Sequence, residues 1–237
     1  MLKVFTFFLC GMSFPILASS QITEAEQNTK HHFSIQPGFS YFNPFLKDLD
    51  NYSLKNPFLG FHIRTNYFYS FLSNNMVSPV LGLGIEYQNL ASRSIANSSQ
   101  FTYKLKASYE AYLFYPSIGL KVKFGEIYSL FLSARYSFYN ISFLNISGTA
   151  NNNSQQAQIF SAVKVSRQNV FGVDLENSLQ IYKNFGMSFI LTYQNHQMSY
   201  SGEIDTDVNN AIFKNVLAEK KINYHEFSSS ISFSYQI

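Results

Sequence analysis

The sequence predicts an all-β protein, an eight-stranded antiparallel up-and-down transmembrane β-barrel, and three observations carry that expectation. Residues 117–140, SIGLKVKFGEIYSLFLSARYSFYN, alternate apolar and polar side chains on both sides of a tight turn at Phe124-Gly125-Glu126-Ile127. Eight stretches of this kind can be marked out, and the connections between them run long, short, long, short along the chain. Only 13% of the 237 residues are charged, against roughly 25% in an ordinary soluble domain, while 18% are aromatic and the mean hydropathy is −0.07.

The central hairpin sets the orientation. Ile118, Leu120, Val122 and Phe124 alternate with Ser117, Gly119, Lys121 and Lys123; beyond the turn, Tyr128, Leu130, Leu132, Ala134, Tyr136 and Phe138 alternate with Ser129, Phe131, Ser133, Arg135, Ser137 and Tyr139. A period of two puts each set on its own sheet face. A soluble sheet would carry Lys, Glu and Asp on its wet face. Here the polar set is mainly Ser, Gly, Gln, Asn and Tyr, with Gly82, Gly84, Gly119 and Gly172 among it. Small side chains suit a crowded interior, so the apolar set is expected to face lipid and the polar set the lumen.

The chain opens with MLKVFTFFLCGMSFPILASS, which has a charge at Lys3, an apolar core from Val4 to Leu17, and small residues at Ala18 and Ser20. This predicts a signal peptide over 1–20, cut after Ser20. The apolar run is interrupted by Gly11 and Pro15 and falls short of the roughly 20 residues of a membrane helix. Cys10, the one cysteine, follows Phe7-Phe8-Leu9 rather than a lipoprotein motif, so the mature chain is expected to hold neither disulfide nor thiolate metal site. Of 17 basic residues one leaves with the leader, and 16 against 14 acidic ones give a charge of about +2, no reason to invoke nucleic acid.

Residues 21–31 read as a flexible segment and 32–237 as the barrel. The first strand, 32–43, sets Phe33, Ile35, Phe39 and Tyr41 outward, with Pro37 marking a lost ladder donor or a bulge. After a loop at 44–56, the second strand, 57–69, points Gly60, His62, Arg64 and Asn66 inward. The third, 77–89, points Gly82, Gly84, Glu86 and Gln88 inward. Residues 90–102 read as a long polar connection. The fourth strand starts near Leu105, where alternation is poor and the side taken by Glu110 stays open; the fifth runs from 128 past Tyr139. SGTANNNSQQAQ, 147–158, is a loop by composition. The sixth strand, 162–182, holds Asp174 and Glu176 inward and turns at Lys183-Asn184-Phe185-Gly186 into the seventh, 187–201. A loop over 202–221 contains the helix-compatible run NNAIFKNVLAEKK, and the last strand, 222–237, points Glu226, four serines and Gln236 inward.

The cleavable leader, the eight alternating strands and the terminal Ser230-Ile231-Ser232-Phe233-Ser234-Tyr235-Gln236-Ile237 resemble the small bacterial outer-membrane barrels of the OmpA, OmpX and OmpW type. That resemblance implies an outer-membrane location, contact with outer-membrane lipid and lipopolysaccharide, and reading of the terminal segment by the barrel-insertion machinery. This chain departs from the pattern by ending in Ile237, with Tyr235 and Phe233 upstream, where such families end in an aromatic residue.

Inward-pointing charges are Arg64, Lys121, Lys123 and Arg135 against Glu86, Asp174, Glu176 and Glu226, with His62 nearby. Unpaired buried charge is costly, so these eight are expected to pair and fill the lumen. A narrow ion path lined by the same residues is the sharper alternative. A lipid-modifying enzyme would need a His and Ser on one face. His196 and Ser199 are three residues apart and fall on opposite faces, Glu203 notwithstanding, and His225 directly precedes Glu226. No catalytic, cofactor or metal site is expected; His31-His32 alone is a weak ligand pair. The expected role is a non-catalytic surface protein displaying four outer loops, with a pore or an adhesin binding a surface ligand as alternatives.

Overall fold

In the computed structural model the structure describes residues 31–42, 57–72, 75–97, 102–152, 155–208 and 211–237. The leader, most of the first connection (43–56) and the flexible segment through residue 30 lie outside them. The strands are β1 (His31–Phe42), β2 (Phe58–Ser70), β3 (Val77–Asn97), β4 (Thr102–Phe124), β5 (Tyr128–Ser137), β6 (Tyr139–Asn152), β7 (Gln155–Tyr182), β8 (Phe185–Val208) and β9 (Ala211–Gln236). β5 and β6 are one crossing interrupted at Phe138, for β4 and β7 each pair with both. Every neighbour pairs antiparallel, and β1 pairs with β9, so eight crossings close into a ring without an edge. Closure matters because unpaired backbone groups cannot be satisfied in hydrocarbon.

The register fixes the barrel's dimensions. Following directly opposed residues around the ring leads from Leu81 through Ile118, Ala134, Val173, Tyr193, Phe227, Tyr41 and Leu59 back to β3 at Ala91, ten residues from the start. Eight strands with a ten-residue offset, spaced about 4.8 Å with a rise of about 3.3 Å per residue, tilt by about 40° and enclose a radius of about 8 Å. Each residue then gains about 2.5 Å of height, a figure that follows from the same rise and tilt.

The expected stripes hold in the half of the barrel nearest the short turns. Phe39, Leu83, Ile118, Leu132, Phe171, Phe189 and Phe233 are exposed on the outside, while Gln36, Arg64, Glu86, Ser133, Asp174, Thr192 and Ser232 are buried inside. Rings collect at both margins of this belt. Phe33 with Tyr67, Tyr69 with Phe71, and Phe185 with Tyr235 lie at the turn end; Phe61 with Tyr87, Tyr87 with Tyr112, and Tyr193 with Phe227 lie at the other. Such paired girdles belong to the two interfaces of a bilayer.

Beyond the far girdle the pattern inverts. Leu105, Ala107, Tyr109, Ala111 and Leu113 of β4 point inward and are buried with Leu144 and Ile146 of β6, Ile159 and Val163 of β7, and Tyr200 of β8. Lys104 and Lys106 point outward. Outside the membrane water is the exterior, so the strands revert to the arrangement of a soluble barrel. This corrects the expected loops: 90–97, 102, 147–152, 155–158, 202–208 and 211–221 are strand, including all of the described part of the run read as helix-compatible. Glu110 faces outward on a β4 that pairs with β3 in one unbroken register from Val77 to Asn97, and His31 is paired with Tyr69 rather than loose. Pro37 causes no bulge; the β1–β9 ladder skips Gln36 and Pro37 and resumes in the same register.

Candidate functional site

The lumen holds three layers. Nearest the short turns, Phe68, Val80 and Phe131 form a small apolar cap, with the rings of Phe68 and Phe131 edge to face at 5.1 Å. Lys121 and Glu176 line a space of about 20 Å³ there with His32, and Ser188 donates a 2.6 Å hydrogen bond to Glu176. Lys123 sits half-buried beside the β4–β5 turn.

Above the cap lies a closed circuit of four charges. Arg64 Nε donates to Glu86 Oε2 at 3.0 Å and its Nη1 to Asp174 Oδ1 at 3.1 Å, and Arg135 lies 3.2 Å from Glu86 and 3.4 Å from Asp174. Gln36 accepts from Arg64, Gln88 and Gln194 donate to Glu86, and Thr192 donates to Asp174. The Arg135 guanidinium also covers the Tyr115 ring at 4.9 Å, and Tyr115 donates to Asn66 at 2.6 Å. Two cations balance two anions; charge-assisted hydrogen bonds offset the desolvation of Arg64, Glu86 and Asp174, while Arg135 is held by its two ion pairs and the Tyr115 ring. Gly84 makes room for this. A Cβ there would overlap Asn66 Oδ1 and stand 2.5 Å from Tyr115 Cζ.

Gln88 links this circuit to Glu226, which lies 2.9 Å from His196 Nε2. His196 stacks on Tyr224 at 4.4 Å, and its Nδ1 meets the Tyr224 hydroxyl at 2.9 Å and Gln168 at 3.0 Å. Both ring nitrogens therefore face partners other than a serine. The apolar layer, built around Leu113, Tyr109, Ile146 and Ile159, follows immediately above.

Of the eight charges named from the sequence, Arg64, Glu86, Arg135 and Asp174 meet directly, Glu226 is one glutamine away, and Lys121, Lys123 and Glu176 stand apart nearer the turns. His62 is buried and shares a 2.8 Å hydrogen bond with Ser40. The sequence reading missed His196 as a lumen residue, although it shares the inward parity of Thr192 and Gln194. Tyr139, expected inward, is 58% exposed outside, because the interruption at Phe138 shifts the parity.

No protein-family model and no curated protein matches the sequence. Among solved structures, the chain is similar to Neisserial surface protein A (13% identity, TM-score 0.38, 85% of this chain and 95% of that one). It is similar also to the attachment invasion locus protein Ail of Yersinia pestis (12%, 0.36, 87% and 99%) and to the outer membrane protease OmpT of Escherichia coli (10%, 0.39, 92% and 99%). A closed ring of eight antiparallel crossings, an apolar outer belt between two aromatic girdles and a polar, side-chain-filled lumen give this chain the architecture of a transmembrane β-barrel of the outer-membrane type.

Proposed function

We propose that the protein is a non-catalytic envelope protein that uses its barrel as an anchor for rigid β-hairpins standing outside the cell, their tips forming a recognition surface. The observation that carries this reading is the coexistence of a lumen filled by buried side chains with strands far longer than a crossing. A bilayer needs roughly 9–11 residues per strand. β7, β8 and β9 have 28, 24 and 26. The surplus builds a second apolar core above the membrane, which a simple pore has no use for. Three layers obstruct the lumen, and the arginine circuit has no charge left over to bind a passing ion. Against catalysis stands the engagement of His196 by Glu226 and Tyr224.

Planar-bilayer recording of the refolded protein is expected to show no steady current, and a reproducible conductance step would establish the pore instead. Epitope tags inserted between Asn152 and Gln155 or between Val208 and Ala211 are expected to be labelled on intact cells. Labelling only after permeabilisation would reverse the orientation and remove the surface role.

A further inference from the structure

The ladder between the fifth crossing and β7 is interrupted near the outer girdle. It runs to Ser137 opposite Val170 and resumes at Phe143 opposite Lys164, so 138–142 and 165–169 have no register partner across it. Among the described residues, the other breaks in the ring skip three residues or fewer on a strand. Through the same stretch β6 keeps its ladder with β4, where Ile141 is opposite Tyr112, and β7 keeps its ladder with β8, apart from the bulge between Val165 and Arg167. The wall therefore has one long seam, with paired strands on either side of it.

Among the described residues, the side-chain hydrogen bonds that cross the seam all end on Gln168. Asn140 Nδ2 donates to the Gln168 backbone oxygen, and Ser142 Oγ donates to Gln168 Oε1 at 2.5 Å. From inside the lumen Tyr109 donates to the same Oε1 at 2.8 Å, and Gln168 Nε2 meets His196 Nδ1 at 3.0 Å. One buried side chain thus ties β6 to β7 and both to the pair of His196 with Glu226. His196 stands opposite Val170, the last β7 residue of the lower ladder, so the ion pair lies directly behind the seam.

Proteins open locally where few cooperative bonds hold a segment, at a free energy well below that of global unfolding. A ladder shares its load over many rungs, whereas a seam held by one residue loses its side-chain ties together when that residue lets go. We infer that the β6–β7 seam is a local opening point of the barrel wall, latched by Gln168, through which water reaches the His196–Glu226 pair while the cores above and below stay folded. Arg135 of the charge circuit stands opposite Gly172, below the seam, so the circuit still obstructs the lumen when the seam parts. The device depends on the break in the ladder and not on the hairpin tips acting in recognition.

The test labels single thiols. Cys10, the one cysteine, lies in the leader, so the chain from residue 21 carries a thiol only where one is introduced. Ser142→Cys places it behind the seam, and Ser133→Cys places it at a buried position of the same crossing, between Gly119 and Asp174 on unbroken ladders. Each variant is refolded into phosphatidylcholine nanodiscs and reacted with a water-soluble maleimide, and mass spectrometry follows the adduct. Ser142→Cys is expected to react at least tenfold faster than Ser133→Cys. Adding Gln168→Ala is expected to raise the rate at Ser142→Cys about tenfold further and to leave that at Ser133→Cys unchanged. Asn140→Ala, which removes one crossing bond and nothing from the lumen, is expected to give a smaller rise of about threefold and stands in if Gln168→Ala does not fold. Heat-dependent electrophoretic mobility verifies that each variant is folded. Equal rates at the two thiols with Gln168 in place overturn the proposal, because the wall then does not part at the seam. A rise of the same size at both thiols on loss of the latch also overturns it, because the barrel then loosens as a whole.

Discussion

Arg64 shows how a buried charge is tolerated inside a membrane protein. It is 1% exposed, yet its guanidinium reaches Glu86, Asp174 and Gln36 within 3.2 Å. Replacing it with Met would leave two carboxylates facing one arginine, an excess negative charge with no water to screen it. Breaking one side of a buried pair costs about 3–5 kcal/mol. Arg64→Met is therefore expected to lower unfolding stability in urea by about that amount, measured on refolded protein in detergent. Adding Glu86→Gln restores the balance, Arg135 against Asp174, and is expected to recover at least half of the loss. Additive effects of the two changes would show that the residues do not act as one circuit. The charged types and their inward parity were legible in the sequence. Which four would meet was not, because the ten-residue offset around the ring, a property of closure, decides which positions share a level.

Two interruptions change what each strand presents. Along the β4 partner, Ser117 pairs with Arg135 but Phe114 with Tyr139, so β5 and β6 contain one more residue than the strand opposite. The extra residue leaves Phe138 and Tyr139 both outside, at 67% and 58% exposure. It also moves the inward set from odd numbers, such as Arg135, to even ones, such as Leu144 and Ile146. β7 makes the matching change between Val165 and Arg167. A one-residue slip sends every side chain beyond it to the other face. Deleting Phe138 would thus point Leu144 and Ile146 at water and Asn145 at the core. The deletion is expected to cut the yield of folded, heat-modifiable barrel at least fivefold, whereas Phe138→Ala, which removes a lipid-facing ring, should leave it nearly unchanged. Similar yields for the two variants would show that the bulge does not set the face. In the sequence the bulge is invisible, since Tyr136, Phe138 and Tyr139 satisfy either parity.

Taken whole, the molecule is two barrels on one set of strands, inside-polar in the lipid and inside-apolar above it. The upper part holds a core of its own, so its backbone should stay closed without a bilayer around it. Hydrogen exchange of the refolded protein is expected to protect β4 amides at 105–113 as strongly as those at 115–122, at least about a hundredfold over an unstructured chain. Ile159→Asp, which places a charge in that core, should abolish the protection of the upper segment and spare the lower. Rapid exchange at 105–113 in the unaltered protein would mean that the upper core does not hold the strands together.

By itself the sequence determined the class of fold, the strand order, the short turns and the facing of the membrane half, because period-two alternation and a shortage of charge are local properties of the chain. It misplaced the upper half for a physical reason. Arg93, Ser147 and Glu203 lie in stretches that read as loops when they are the wet outer face of strands whose inner face carries Leu90, Ile146 and Tyr200, and nothing local marks the height at which lipid gives way to water. Only the tertiary structure decided that height, the bulges that switch parity, and the meeting of Arg64, Arg135, Glu86 and Asp174. Each of these depends on how eight strands are offset when the ring closes.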